Sequence, residues 1–209
     1  MSHSYDPEQL ERWNGRFSAD GYLFGKAPNA FLASQRERLR PGMRALCVAD
    51  GEGRNSVWLA RQGLSVTAFD FSPVAVAKAR ALAKESGVEV DHRVCDIFRW
   101  DWDAARYDLV AGIFFQFLTP RQRAEVFAGM QRALAPGGLL LLQGYRPEQL
   151  ENKTGGPHDQ DRFYTEALLR ESFSALEVLH LESHDDAIDE GTAHRGMSAL
   201  IDLVARRPG

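Results

Sequence analysis

Cysteine is nearly absent from the chain: Cys47 and Cys95 are the only two in 209 residues. Two thiols cannot build a disulfide framework or a multi-cysteine zinc site, so neither kind of stapled fold applies and no metal is expected. Long apolar runs are missing too. No window approaches the ~20 residues of a membrane-crossing helix, and the opening MSHSYDPEQLERW has no cationic region followed by an apolar stretch. The expectation is a cytoplasmic protein without membrane contact. Positive charge is not in excess either. With Lys+Arg 25 against Asp+Glu 29, a net charge of −4 and a pI near 5.9, the surface offers no broad cationic face. That disfavours nucleic acid and favours a small-molecule partner. Repeats, low-complexity tracts and long linkers are lacking, which points to one domain over residues 1–209, with a helical arm or lid over 1–40 and an α/β core over 41–209. Nothing in the composition fixes the oligomeric state.

What is present, from about residue 43 to 143, is an alternation of strand-like and helix-like segments, the pattern of a parallel α/β sheet. ALCV (45–48) is a short apolar run before a glycine-containing turn and a helical stretch over 56–62. LSVTAFD (64–70) is the next strand. Ser72 and Pro73 then supply an N-cap and a first helical position to an alanine-rich helix that Gly87 stops. VEVDHRV (88–94) and YDLVAGIFF (107–115) read as the third and fourth strands. Thr119 and Pro120 start a helix, and the LAPGG turn over 134–138 ends it and leads into a fifth strand, GLLLLQGY (138–145). Residues 165–173 look helical, and 175–183 and 197–205 form two closing strands. The loop between them has five acidic residues in 182–190 and reads as a solvated connection. Cys47 and Cys95 then lie on strands flanking a third, ~10 Å apart at ~4.8 Å per strand. That is beyond the ~7 Å Cα limit of a disulfide, so both are expected as free thiols. Ahead of the sheet, residues 8–17 and 28–39 carry helical patterns joined by ADGYLFGKAPN (19–29), which serves either as a packing arm over a sheet edge or as a lid over a ligand.

The chemistry concentrates in the turn after the first strand, Ala49-Asp50-Gly51-Glu52-Gly53-Arg54-Asn55. Glycines at 51 and 53 let the backbone pass close to a ligand, and the next helix presents its N-terminal amides there. Nineteen residues beyond Gly51, at the end of the second strand and before Phe71, stands Asp70, placed to accept hydrogen bonds from ribose hydroxyls. The plainer alternative is a tight turn with Asp70 capping the following helix; the agreement of turn, spacing and topology favours the ligand site. A dinucleotide fits poorly. The third glycine of its fingerprint would fall at Ser56, and Asp50 and Glu52 would repel a pyrophosphate. A ligand carrying a sulfonium and an ammonium suits those acids better, and S-adenosylmethionine is such a ligand. At the end of the third strand, Asp96 can accept a hydrogen bond from an adenine amino group with Cys95 and Ile97 flanking the ring, or it is a surface aspartate capping a short helix. The end of the fourth strand, Ile113 to Phe117, adds apolar walls.

Taken together, ADGEGRN, FDFSP, VCDI, YDLVAGIFFQFL and LAPGG resemble the successive motifs of class I S-adenosylmethionine-dependent methyltransferases over about 45 to 145. WNGRFSADGYLFGKAPN, GEGRNSVWLA and GYRPEQLENKTGGP resemble more narrowly the tellurite-resistance and thiopurine methyltransferase-like branch. The resemblance implies a Rossmann-like, doubly wound α/β fold: a seven-stranded sheet, mostly parallel, with an antiparallel last strand inserted between the fifth and sixth. It also implies S-adenosyl-L-methionine as cofactor, with contacts from Ala49, Gly51 and Gly53, from Asp70 to the ribose and from Asp96 to the adenine. The chain departs from the family at Cys47, where an acid is usual, and at Ala49, where the loop's first glycine is usual. One carboxylate that orients the methionine portion is therefore lacking, and Asp50 stands nearby at a different position of the turn.

Methyl transfer from a sulfonium is an in-line displacement in which positioning alone supplies ~7–11 kcal/mol. Oxygen and nitrogen acceptors usually need a base, whereas a thiol, selenol or tellurium oxyanion can arrive ionised. No asparagine-proline-proline-aromatic tetrad follows the fourth strand; Phe114, Phe115, Gln116 and Phe117 take its place. The expected acceptor is thus a small soft nucleophile. Tyr22, Gln116, Arg162 and His194 lead the candidates for the catalytic side, with Arg16, Tyr145, Arg146, Tyr164 and Arg195 behind them. His180 and His184 fall at a strand end and make an improbable metal pair. Two other readings stay open: a non-catalytic module that keeps the cofactor pocket, and a nicotinamide-dependent oxidoreductase.

Overall fold

The structure, a computed structural model, describes residues 7–152, 154–192 and 194–209. The leading MSHSYD, read above for a leader, lies outside them. Seven strands are described: β1 (Arg44–Val48), β2 (Ser65–Asp70), β3 (Asp91–Val94), β4 (Tyr107–Ile113), β5 (Leu134–Tyr145), β6 (Glu177–Glu190) and β7 (His194–Arg206). The sheet order is β3-β2-β1-β4-β5-β7-β6. The described helices are α1 (Pro7–Phe17), α2 (Ala30–Ser34), α3 (Arg54–Arg61), α4 (Pro73–Glu85), α5 (Pro120–Ala133), α6 (Gln149–Asn152) and α7 (Glu166–Ser172). None is long and apolar enough to cross a membrane. The described residues divide into two compact units, 7–101 with 190–192, and 102–152 and 154–189 with 194–209.

In the first unit β1 is buried in all but its first residue, as expected for a parallel strand covered on both faces. It pairs parallel with β2 from Arg44↔Ser65 to Val48↔Phe69, and β2 pairs parallel with β3 from Thr67↔Asp91 to Asp70↔Val94. The Ser72 hydroxyl caps α4 by accepting the Ala75 N–H at 3.1 Å, with Pro73 in the first turn. The third strand is shorter than residues 88–94. Val88 and Val90 pack against Val57, Leu82 and Ala83, where burial of their apolar surface replaces ladder pairing. The helical pattern over 28–39 breaks into α2 and a 3-10 turn, Arg36–Arg38. The break comes at Gln35, whose backbone N–H turns back onto the carbonyls of Leu32 and Ala33.

In the second unit β4 pairs parallel with β5 up to Ile113↔Gln143, and β5 pairs antiparallel with β7 from Leu139↔Arg206 to Tyr145↔Leu200. That places the last strand between the fifth and sixth. Thr119 and Gln122 form a full capping box at the start of α5, which needs no packing partner to define it. Residues 134–138 are the irregular start of β5: Tyr107 pairs with Leu134, and the register slips before Leu109. Pro136 has no N–H to give and Gly137 takes φ 75°, so the pairing breaks there without the strand ending. The acidic stretch 182–190 is corrected from a loop to the second half of β6. As the last strand in the sheet order, β6 buries only Glu190 and leaves every other residue at least partly in water, so charge does not oppose strand formation. His180 and His184 therefore lie inside β6, away from its ends. His184 Nε2 is 3.0 Å from Asp202 Oδ2, and Gln143 Nε2 donates to Asp202 Oδ1 at 2.6 Å.

Candidate functional site

The turn between β1 and α3 is held in an unusual backbone shape. Ala49, Gly51 and Gly53 take φ values of 50°, 60° and 91°, a region glycine enters freely and alanine enters at a cost of ~1–2 kcal/mol. Asp50 N donates to Phe69 O at 3.0 Å and Gly53 N to Asp50 O at 3.3 Å. Gly53 admits no larger residue, since a Cβ there would stand 2.7 Å from Ala79 Cβ and 2.8 Å from Ala79 Cα of α4.

Asp70 is the second fixed point. Its Oδ2 accepts the N–H of Gly51 at 3.0 Å and its Oδ1 the N–H of Ser72 at 2.9 Å. Burial pushes its carboxyl up to about 6, against the pull of those backbone donors. Cys95 N donates to Asp70 O at 2.9 Å, bringing the end of β3 alongside. Both thiols are free, and burial raises the pKa of each. Asp96 Oδ1 accepts the Phe98 N–H at 2.9 Å, so this aspartate shapes its own turn, and Ile97 is buried. Phe71 is half-buried.

Asp50 turns its carboxylate onto the first turn of α3. Oδ1 accepts the Ser56 N–H at 3.3 Å, and Oδ2 accepts the Ser56 hydroxyl in a short contact. Burial, with Asp70 adding repulsion, pushes Asp50 up to about 7 despite the Ser56 bonds and Arg54. The acids of the loop thus divide their work. Glu52 faces the segment before α2: Oε2 accepts the Leu23 N–H at 2.7 Å and Oε1 meets Lys78 Nζ at 3.0 Å. Lys78 Nζ also donates to the carbonyls of Ala19 and Gly21, each at 2.7 Å. Asn55 Oδ1 accepts the Asn29 N–H at 2.9 Å. Above Gly51 lies Phe17, which stacks on Trp13 with ring centroids 5.3 Å apart and meets Phe24 edge-on. Residues 17–29 are therefore tied to the loop at both ends.

Several of these partners were not expected from the sequence. Glu190, at the end of β6, accepts from Asn29 Nδ2 at 2.9 Å and from Arg54 Nη2 at 2.6 Å, all three side chains being buried. The Arg54–Glu190 pair spans 136 positions, and no local pattern announces it. Ser56 and His92 are likewise visible only in the folded chain.

The candidates for the acceptor side divide clearly. Tyr22 donates its hydroxyl to Lys78 O at 3.3 Å and packs beside Val57, Leu82 and Ala83 of the first unit. In the second unit Gln116 Nε2 donates to Tyr145 O at 3.0 Å and to Arg162 O at 3.1 Å, while its Oε1 accepts the Tyr145 N–H. Arg162 donates to Phe117 O at 2.9 Å and pairs with Asp159 at 2.6 Å. Tyr164 is buried, and Arg146 is bound to Asp185 and to His184 O. Arg16 lies over Trp13, and Arg195 is an exposed partner of Asp189. His194 differs: its ring meets Phe114 at 4.7 Å and Tyr145 at 5.7 Å, in a cluster completed by Phe163, Leu200 and Ile188. Phe114 holds φ 54°, a strained value for an aromatic residue, directly after β4. Ile113, the last residue of β4, is half-buried in the same unit. Among the described residues no cluster of three or more His, Cys, Asp or Glu could hold a metal.

Residues 45–138 match the sequence profile of the family described as "Methyltransferase domain". With the seven-stranded fold, the match likens this segment to a methyltransferase domain. The chain is 34% identical over 126 residues to a thiopurine S-methyltransferase of Nitrosospira multiformis, an alignment covering 59% of this chain and 54% of that protein. It spans about half the length of the curated relatives it matches. The N-methyltransferase NodS of Bradyrhizobium japonicum in complex with S-adenosyl-L-homocysteine superposes with TM-score 0.69 at 18% identity, covering 97% of this chain and 98% of that one. TehB of Haemophilus influenzae superposes with TM-score 0.68 at 17% identity, covering 86% and 62%. At such identities the two structures speak for the fold.

The donor set of the first unit fits the cofactor. Burial raises the carboxyls of Asp50 and Asp70, to about 7 and about 6. A nearby sulfonium or ammonium would favour their ionised forms, and a pyrophosphate would oppose them.

Proposed function

We propose that the whole chain is a methyltransferase acting on a small soft nucleophile: a thiol, or a reduced selenium or tellurium species. The observation that carries the cofactor half of this reading is the carboxylate of Asp70 clasping the N–H of Gly51, which fixes the glycine turn and the end of β2 as one rigid surface. On that surface Ala49, Asp50, Gly51, Gly53 and Asn55 would face the methionine portion, Asp70 and Phe71 the ribose, and Cys95, Asp96 and Ile97 the adenine. S-adenosylmethionine, when bound, supplies a methyl group on a positively charged sulfur. The protein's part is to orient, to exclude water and to hold charge. Residues 17–29, pinned by Glu52, Lys78 and Asn55, would act as the cover.

The acceptor class draws on two supports. The thiopurine relative methylates sulfur by its name, and the motif resemblance leads to the same branch. A polarisable acceptor that can arrive ionised needs no dedicated base. Calorimetry with S-adenosylhomocysteine against NADH tests the cofactor. Binding of NADH alone would return the chain to the nicotinamide reading, and binding of S-adenosylhomocysteine without transfer to any acceptor would leave a cofactor-binding module.

A further inference from the structure

A buried polar chain runs beneath the cofactor turn. Ser56, fully buried on α3, directs its single hydroxyl hydrogen at Asp50 Oδ2 in a short contact, the other acceptor in reach, Gly53 O, lying farther off at 3.2 Å, and its Oγ lies 3.1 Å from His92 Nε2 on β3. With that hydrogen spent on Asp50, Oγ can only accept from the ring. Nε2 of His92 therefore carries the proton, and Nδ1 is bare. The surroundings agree: Nδ1 is buried without a hydrogen-bond partner, and a proton there would create an unsatisfied N–H. His92 is 6% exposed, and its carbonyl accepts from Arg80 Nη2 at 2.7 Å. Burial, aided by the Arg80 charge and opposed by Asp91, lowers its pKa to about 4, so the ring is neutral at ordinary pH.

We propose that His92 is a positioning residue for the cofactor turn, acting through Ser56 on Asp50. The chain runs in one direction, His92 N–H to Ser56 O–H to Asp50, and each donor strengthens the next. Asp50 anchors the turn by its backbone, its N–H bound to Phe69 O and its carbonyl accepting from Gly53, and ties that same turn to α3 by its carboxylate. The groups facing Asp50 are Asp70 on β2, which repels it, Arg54 and Ser56 on α3, which hold its charge, the Cys47 thiol on β1, and neutral His92 beyond Ser56. The inference rests on the reading that the turn holds S-adenosylmethionine.

The test uses the full chain with His92→Leu, His92→Gln and Ser56→Ala, following the Asp50 carboxyl by carbon NMR against pH and S-adenosylhomocysteine binding by calorimetry. The expected result is an upward shift of the Asp50 midpoint in His92→Leu and Ser56→Ala, with affinity lowered about tenfold, the size of one lost buried hydrogen bond. His92→Gln, whose amide N–H can replace Nε2–H, restores both readouts while His92→Leu does not. A purely structural role would lower Tm without moving the Asp50 midpoint, and that outcome overturns the proposal. So does His92→Leu binding the ligand as tightly as the native chain. If the native chain binds no S-adenosylhomocysteine while the midpoint still shifts, the site reading fails, and the positioning role fails with it.

Discussion

The carboxylate of Asp70 accepts the backbone N–H of Gly51 at 3.0 Å, joining residues nineteen apart in sequence. One buried side chain thus fixes the glycine turn after β1 against the end of β2, and its other oxygen starts α4 through Ser72. Capping and ligand binding, alternatives in the sequence, are compatible uses of one carboxylate, since each oxygen has a second lone pair.

Asp70→Ala is expected to weaken S-adenosylhomocysteine binding roughly tenfold to a hundredfold, from the loss of charge-assisted hydrogen bonds worth ~1.5–3 kcal/mol. It should also lower Tm, because the N–H groups of Gly51 and Ser72 lose their acceptor. Calorimetry on the folded variant checks this, and unchanged affinity removes Asp70 from the site.

Glu52 ties Leu23 to the turn, so Glu52→Ala should release residues 19–25. Amide exchange in this segment is expected to speed up in the variant and to slow in the native chain on saturation with S-adenosylhomocysteine. Equal exchange with and without ligand would make residues 17–29 a packing arm.

Gly53→Ala should destabilise the fold by about 1–3 kcal/mol, because its Cβ would stand 2.7 Å from Ala79 Cβ with nowhere to move. Ala49→Gly should act in the opposite direction, relieving φ 50° at Ala49 for a gain of at most about 1 kcal/mol. Thermal melts of the two variants give the signs directly.

Asp50 and Asp70 stand at about 7 and about 6 against an ordinary value of 3.8. Raised carboxyls bind protons more tightly when folded, so their contribution to stability is complete below pH 3.8 and is lost as pH rises through about 6 and about 7. Ligand binding has the reverse sign. A cation favours the ionised forms, so affinity for S-adenosylmethionine should rise with pH across that range and then level. S-adenosylhomocysteine, whose sulfur is neutral, should show a shallower rise. Parallel slopes for the two ligands, measured by calorimetry, would place these carboxylates away from the sulfonium.

Much of this was legible because it is local. The ALCV run, the Ser72-Pro73 start and the Thr119-Gln122 box each carry their own signal, and the Gly51 to Asp70 spacing encodes the turn. What escaped depends on position in the sheet or on distant partners. The acidic residues of β6 form an edge strand, so alternation of buried and exposed faces is weak and charge imitates a loop. The valines 88 and 90 look like strand but gain more by covering α3 and α4. Glu190 with Arg54, and His92 with Ser56, are pairs 136 and 36 positions apart that no periodicity brings together.

The most direct measurement is the fate of labelled methyl from S-adenosylmethionine offered with two thiols of different acidity, a reduced selenium or tellurium species, an RNA and a protein extract, with turnover followed against pH. The expected result is label in the small soft acceptors, with a rate that rises with pH and levels near each acceptor's own pKa, so that changing the thiol moves the midpoint. Label mainly in RNA or protein, or none transferred by a chain that binds the cofactor, would contradict the proposed function.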